Sequence, residues 1–198
     1  MDTKVQQTWE DFLNPDVIRP VLISASIYIA GFEALKDAIV ERIRDFFCHG
    51  FDEYGDKIDP RYQSEVLSRN RSPVYASLDW LKEMNAIDDA DIRSFEGIKN
   101  CRNDLAHRLL SMLGSEVAVP DFAKSFQDMA TSLRKIEVWW IKEVEILTNP
   151  DFDGQEISED EIVPGRSIGL QLLCDIALGD ETRSRFYIEE FRKRTQTG

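Results

Sequence analysis

Two residues in the stretch Ile98-Lys99-Asn100-Cys101-Arg102-Asn103-Asp104-Leu105-Ala106-His107-Arg108-Leu109-Leu110 are of types that do chemistry together. Arginine stays charged, and its planar fork pairs two oxygens of a phosphate. Histidine titrates near neutrality and so takes and gives protons at ordinary pH. The stretch lies in a helical pattern from about Ile92 to Leu113. At ~100° per residue, Ile92, Phe95, Ile98, Leu105, Leu109 and Leu113 fall along one apolar arc. Arg102 sits in the middle of that arc, where a leucine is expected. A charge there needs a partner. On the structural reading, Arg102 pairs with a carboxylate such as Asp104 or Glu33, and His107 is an ordinary surface histidine. In an unbroken helix His107 points ~140° away from Arg102, whereas Asn103 and His107, four apart, share a face. Asp104 could cap a restarted helix. Such a break would bring the histidine toward the arginine.

Arg102-Asn103-Asp104-Leu105-Ala106-His107 resembles the signature of the HEPN superfamily: an Arg, a polar residue straight after it, and a His beyond a short spacer. HEPN domains are all-helical, and many are metal-independent ribonucleases of toxin–antitoxin, abortive-infection and CRISPR-associated systems. The resemblance covers about Pro15 to Asn149. It implies Arg102, Asn103 and His107 as catalytic residues, RNA as the substrate and no cofactor or metal. One toxin subgroup carries a Tyr two positions after the His. This chain has Leu109 there, which argues against that subgroup.

RNA supplies its own nucleophile, the 2′-OH. Cleavage needs a base for that proton, a donor for the leaving 5′-oxygen and positive charge at the phosphate. HEPN nucleases typically pair two copies so that both motifs line one cleft. A homodimer would bring two Arg102 and two His107 across a two-fold axis. By resemblance, the products carry a 2′,3′-cyclic phosphate and a 5′-hydroxyl. The competing expectation is a non-catalytic HEPN-like module that binds a nucleotide or a partner protein, such as an antitoxin, within a larger assembly.

The composition bounds both readings. The formal net charge of −13 favours solubility and works against non-specific nucleic-acid binding. It leaves room for a local basic groove. The three cysteines, Cys48, Cys101 and Cys174, are far apart, which points to a reducing compartment and small buried roles. With two histidines, His49 and His107, a histidine-rich metal site is excluded. His49 follows a helix end, where it complements the dipole. No phosphate-cradling glycine loop, nucleophile elbow or zinc-ligand spacing occurs. The apolar run Val21–Ala30 is shorter than the ~20 residues needed to span a bilayer. The polar Met1–Phe12 lacks a signal core. The expectation is a soluble cytoplasmic protein with no membrane partner.

Long helices must position the motif. Asn14-Pro15 starts one that runs to Phe47, capped by Asn and opened by Pro. Its first half is apolar on most sides, suiting a central place or a subunit interface. Phe51–Arg71 reads as a turn near Asp59-Pro60 and a helical turn or two from Tyr62. Ser72-Pro73 starts a short helix to about Met84. Asp88 or Asp89 caps the motif helix, and Gly114 ends it. Val119-Pro120 opens a helix to about Leu147 with the clearest amphipathic stripe. Trp139 lies off that stripe, facing a partner. Asp151–Pro164 is acidic throughout and reads as a solvated loop. Gly165–Ala177 and Glu181–Arg194 are helices separated by Gly179-Asp180, and the second is rich in basic residues. No strand alternation is evident. The expected fold is all-α: one domain over 1–198, a bundle of two or three long antiparallel helices. Within it, 15–149 is the HEPN-like core, 150–164 the acidic loop and 165–194 a C-terminal helical pair.

Overall fold

A computed structural model describes residues 3–113, 122–153, 155 and 157–196. Seven α-helices dominate the described residues: α1 (Thr3–Leu13), α2 (Pro15–Phe46), α3 (Pro73–Glu83), α4 (Asp89–Leu113), α5 (Phe122–Trp140), α6 (Gly165–Leu178) and α7 (Glu181–Gln196). The fold is all-α, as the helical periodicity predicts.

The axis of the molecule is α2. Asn14 caps it, accepting from the Asp16 amide at 3.0 Å, and Pro15 opens it. Its 32 residues span ~48 Å at 1.5 Å per residue. Leu35, Ala38, Ile39 and Ile43 are buried at the centre of the core. They pack on Leu81 of α3, Phe95, Ile98 and Leu105 of α4, and Met129, Leu133 and Ile136 of α5. The N-terminal half is less covered: Val17, Leu22 and Ile23 are exposed while Ala25, Ile27 and Tyr28 are buried. One 18-residue window of α2 has a mean hydropathy of 1.4, enough by length and composition alone to cross a membrane, and 28% of it is buried.

Several details depart from the sequence reading. Residues Thr3–Leu13, within a stretch the sequence marks only as polar, form a helix. A two-stranded antiparallel hairpin, β1 (Cys48–Asp52) and β2 (Gly55–Ile58), follows α2 where no strand was expected. Its register shifts between Cys48 and Phe51, and the bulge removes the period-two pattern that would announce a strand. Gly50 and Gly55 stand at φ values of 153° and 114°, which favour glycine. The helix predicted to reach Leu147 ends as α-helix at Trp140 and continues as a π-helical turn, Ile141–Ile146. A second π-helical turn, Tyr62–Val66, leads into a 3₁₀ turn, Leu67–Arg69. Trp139 does not wait for a partner: its ring meets Trp140 at 4.9 Å and Trp80 at 6.3 Å within the chain. The predicted stop at Gly114 and start at Val119-Pro120 lie outside the described residues.

The acidic 150–164 stretch is anchored at its far end. Arg134 donates to the carbonyls of Ile162 (2.9 Å) and Glu159 (3.1 Å), and Ile162 is buried. Of the C-terminal helices, α6 packs on α2 and α5, and α7 on α6. Buried Glu137 on α5 accepts from the Ser167 amide (3.3 Å) and hydroxyl (3.1 Å) in the first turn of α6. A carboxylate there also suits the helix dipole. Leu170 is buried against Gly31 of α2, where an added Cβ would lie 2.6 Å from Met129 Cε and 3.2 Å from Leu170 Cδ1.

Candidate functional site

The motif helix α4 is fixed at its start by Asp88. Its carboxylate accepts from the amides of Ala90 (2.6 Å) and Asp91 (3.1 Å), and Asp91 accepts back from the Asp88 amide (2.8 Å). That reciprocal pairing is a capping box. Of the two capping candidates, Asp88 takes the role. At mid-helix, Tyr28 of α2 donates to the Ile98 carbonyl at 3.1 Å and lies 2.5 Å from Ser125 Oγ of α5. One buried hydroxyl thus ties three helices together one turn before Arg102. Burial pushes the Tyr28 phenol well above its ordinary range, so it stays neutral.

Arg102 is seated between two neighbouring residues of α2. Its guanidinium carbon lies 5.5 Å over the Phe32 ring, and Nη2 donates to Glu33 Oε1 at 3.1 Å. Phe32 is backed by Phe95, stacked at 6.1 Å. Of the two carboxylates weighed for Arg102, Glu33 is the partner. Asp104 instead pairs with Arg108 at 3.3 Å, one turn along α4. The Arg102 side chain keeps 29% exposure, and its Nε is buried with no hydrogen-bond partner.

Helix α4 runs unbroken from Asp89 to Leu113, so Asp104 caps no restart. The turn that would have carried His107 toward Arg102 is absent because the backbone stays helical through Asp104. His107 is exposed and remains ~140° from Arg102 around the helix. Asn103 is half-buried and shares its face with His107. Neither side chain makes a hydrogen bond to the described residues. Within one chain Arg102 and His107 are not brought together: Arg102 packs on α2, and His107 faces solvent from another side of α4. Among the described residues no group of three His, Cys, Asp or Glu side chains is arranged to hold a metal ion. His49 is exposed on β1, outside this site.

Glu33 also accepts from Lys36 Nζ at 2.5 Å. That bond first, and the one from Arg102 second, hold the Glu33 carboxyl below the usual carboxylate range. A depressed folded value means the pair's contribution is complete above the unfolded carboxylate range and is lost as pH falls through the folded value. Glu33→Gln is therefore expected to narrow its stability gap to wild type as pH drops from about 5 to 3. Thermal melts across that range check it; a gap that stays constant would contradict the assignment.

Sequence reasoning named Glu33 but missed Phe32, the platform beneath the arginine. A signal existed: Glu33 is the one charged residue between Val21 and Leu35, a position that invites a cation from another element. No family model, no curated protein and no solved structure matches the chain.

Proposed function

We propose that this chain is a metal-independent endoribonuclease of HEPN type, as used in bacterial defence and toxin–antitoxin systems. The observation that carries the reading is the seating of Arg102. A guanidinium held over Phe32 and tethered by Glu33 has a fixed orientation and stays partly open to solvent. Pre-set positive charge of that kind lowers the barrier of phosphoryl chemistry without reorganisation. Arg102 orients the scissile phosphate, Asn103 donates to a phosphate or ribose oxygen, and His107 moves the protons. Because Arg102 and His107 point apart on one helix, the cleft forms between two copies, each lending its histidine to the other's arginine.

A second reading is favoured by the Glu33–Arg102 pair itself. An arginine already satisfied by a carboxylate, in a chain of net charge −13, suits a non-catalytic module that binds a nucleotide or a protein partner. Incubating the purified protein with total RNA in excess EDTA separates the two. The nuclease reading expects cleavage to 2′,3′-cyclic phosphate and 5′-hydroxyl ends, undiminished by chelator and absent in Arg102→Ala. Cleavage that vanishes in EDTA and returns with magnesium would sink the mechanism, and intact RNA would favour the binding module.

A further inference from the structure

Helix α4 seats a second cation in the same manner as Arg102. Lys99 lies one turn earlier. Its Nζ stands 4.7 Å from the ring centroid of Tyr75 on α3, donates to the Tyr75 hydroxyl and pairs with Glu96 Oε2 at 3.2 Å. Lys99 on Tyr75 and Arg102 on Phe32 each rest on a ring, and each is tethered by a carboxylate. The rings belong to one array. Phe95 stacks on Phe32 at 6.1 Å and meets Tyr75 edge-on at 6.3 Å. Helices α2, α3 and α4 thus fix two cations against a shared aromatic support.

Lys99 also stands in the sector of α4 between the two motif residues that face apart. At ~100° per residue it lies ~60° from Arg102 on one side and ~80° from His107 on the other, with Asn103 ~40° away. Its side chain keeps 32% exposure, close to the 29% of Arg102. From Gly97 to Leu109 the helix carries Lys99, Arg102 and Arg108 against one acid, Asp104, in a chain of net charge −13. The Glu96 partner does not close Lys99 off. A half-exposed pair three apart on a helix contributes little, so its carboxylate can give way to a phosphate with little loss.

We propose that Lys99 is a second phosphate contact of this site, holding the RNA phosphate next to the one on Arg102. The inference rests on the nuclease reading of Arg102. Residues three apart on a helix have Cβ atoms about 5–6 Å apart, so these two long side chains reach adjacent phosphates of one strand. Tyr75 keeps the ammonium from swinging away. A contact of this kind fixes the register of the strand and carries no sequence information.

The test is the salt dependence of binding to a fluorescein-labelled single-stranded RNA with 2′-O-methyl ribose throughout. That probe lacks the 2′-OH nucleophile and stays intact, so anisotropy reads binding alone. Each phosphate contact on a single strand contributes about 0.7 to the slope of log affinity against log salt. Lys99→Met is expected to lower the slope by at least about 0.7 and to weaken binding about three- to tenfold at about 0.1 M sodium chloride. Lys99→Arg, which keeps the charge, should hold the wild-type slope. Both variants should keep the wild-type helical signal, because the side chain is half-exposed. Arg102→Ala in the same assay should lower the slope as well. If it does while Lys99→Met does not, the second contact is overturned and the nuclease reading stands. A Lys99→Arg protein that loses as much slope as Lys99→Met would also overturn the second contact, since charge would not be what matters. Wild type that fails to bind the RNA, or a slope unchanged in both Lys99→Met and Arg102→Ala, would overturn both.

Discussion

Arg102→Ala is expected to abolish RNA cleavage, by about 10²–10³-fold or more, while changing stability by no more than about 1–2 kcal/mol. The two effects separate because of where the side chain sits. A fully buried ion pair that loses one member costs about 3–5 kcal/mol, since the other charge is stranded. Arg102 and Glu33 are not such a pair: their side chains are 29% and 39% exposed, and Glu33 keeps Lys36 as a second partner. Truncation removes one ring contact with Phe32 and also relieves the unpartnered Nε. His107→Ala is expected to lose cleavage by about 10²–10⁴-fold, the usual worth of a positioned acid or base. Its side chain is exposed, so the helical signal should be unchanged. RNA assays beside thermal melts decide the matter. A variant that melts far below wild type would assign Arg102 a structural role, and a His107→Ala protein that still cuts at full rate would make the Arg–His spacing a coincidence of composition.

Leu35→Ala is expected to destabilise the fold by about 2–5 kcal/mol, against a total of about 5–15 for a typical domain. Leu35 is 0% exposed and lies in the stretch of α2 that packs on α3, α4 and α5 together. The cavity left behind is walled by helices that cannot all close at once, so most of the cost stays uncompensated. Leu173→Ala on α6, where the side chain is 50% exposed, is the matched control and should change little. Urea midpoints of the two variants check the contrast. Similar midpoints would mean that the centre of the core does not lie at α2.

What the sequence determined by itself is whatever depends on near neighbours. Asn14-Pro15 fixes the start of α2, the pair Asp88-Asp89 the start of α4 to within one residue, and Gly179-Asp180 the break between α6 and α7, because caps and breakers act within one helical turn. The apolar arc of α4 also survives, with Phe95, Ile98 and Leu105 buried. The motif residues were found by type and spacing, and that Arg102 would need a carboxylate follows from its place in the arc. Which carboxylate it meets was settled by packing between residues 69 apart. No local rule distinguishes Glu33 from Asp104. The hairpin escaped notice because backbone pairing makes it, with a bulge and mostly exposed side chains, and not an alternating apolar face. Trp139 looked like a surface for a partner because its stripe position was read from one helix alone. The ring of Trp80, brought in by α3, fills the space that a single helix leaves open. The two π-helical turns have no sequence signature of their own. In the assembled core the ring of Tyr62, in the first, meets Phe47 at 5.8 Å, and the second begins directly after the buried Trp140.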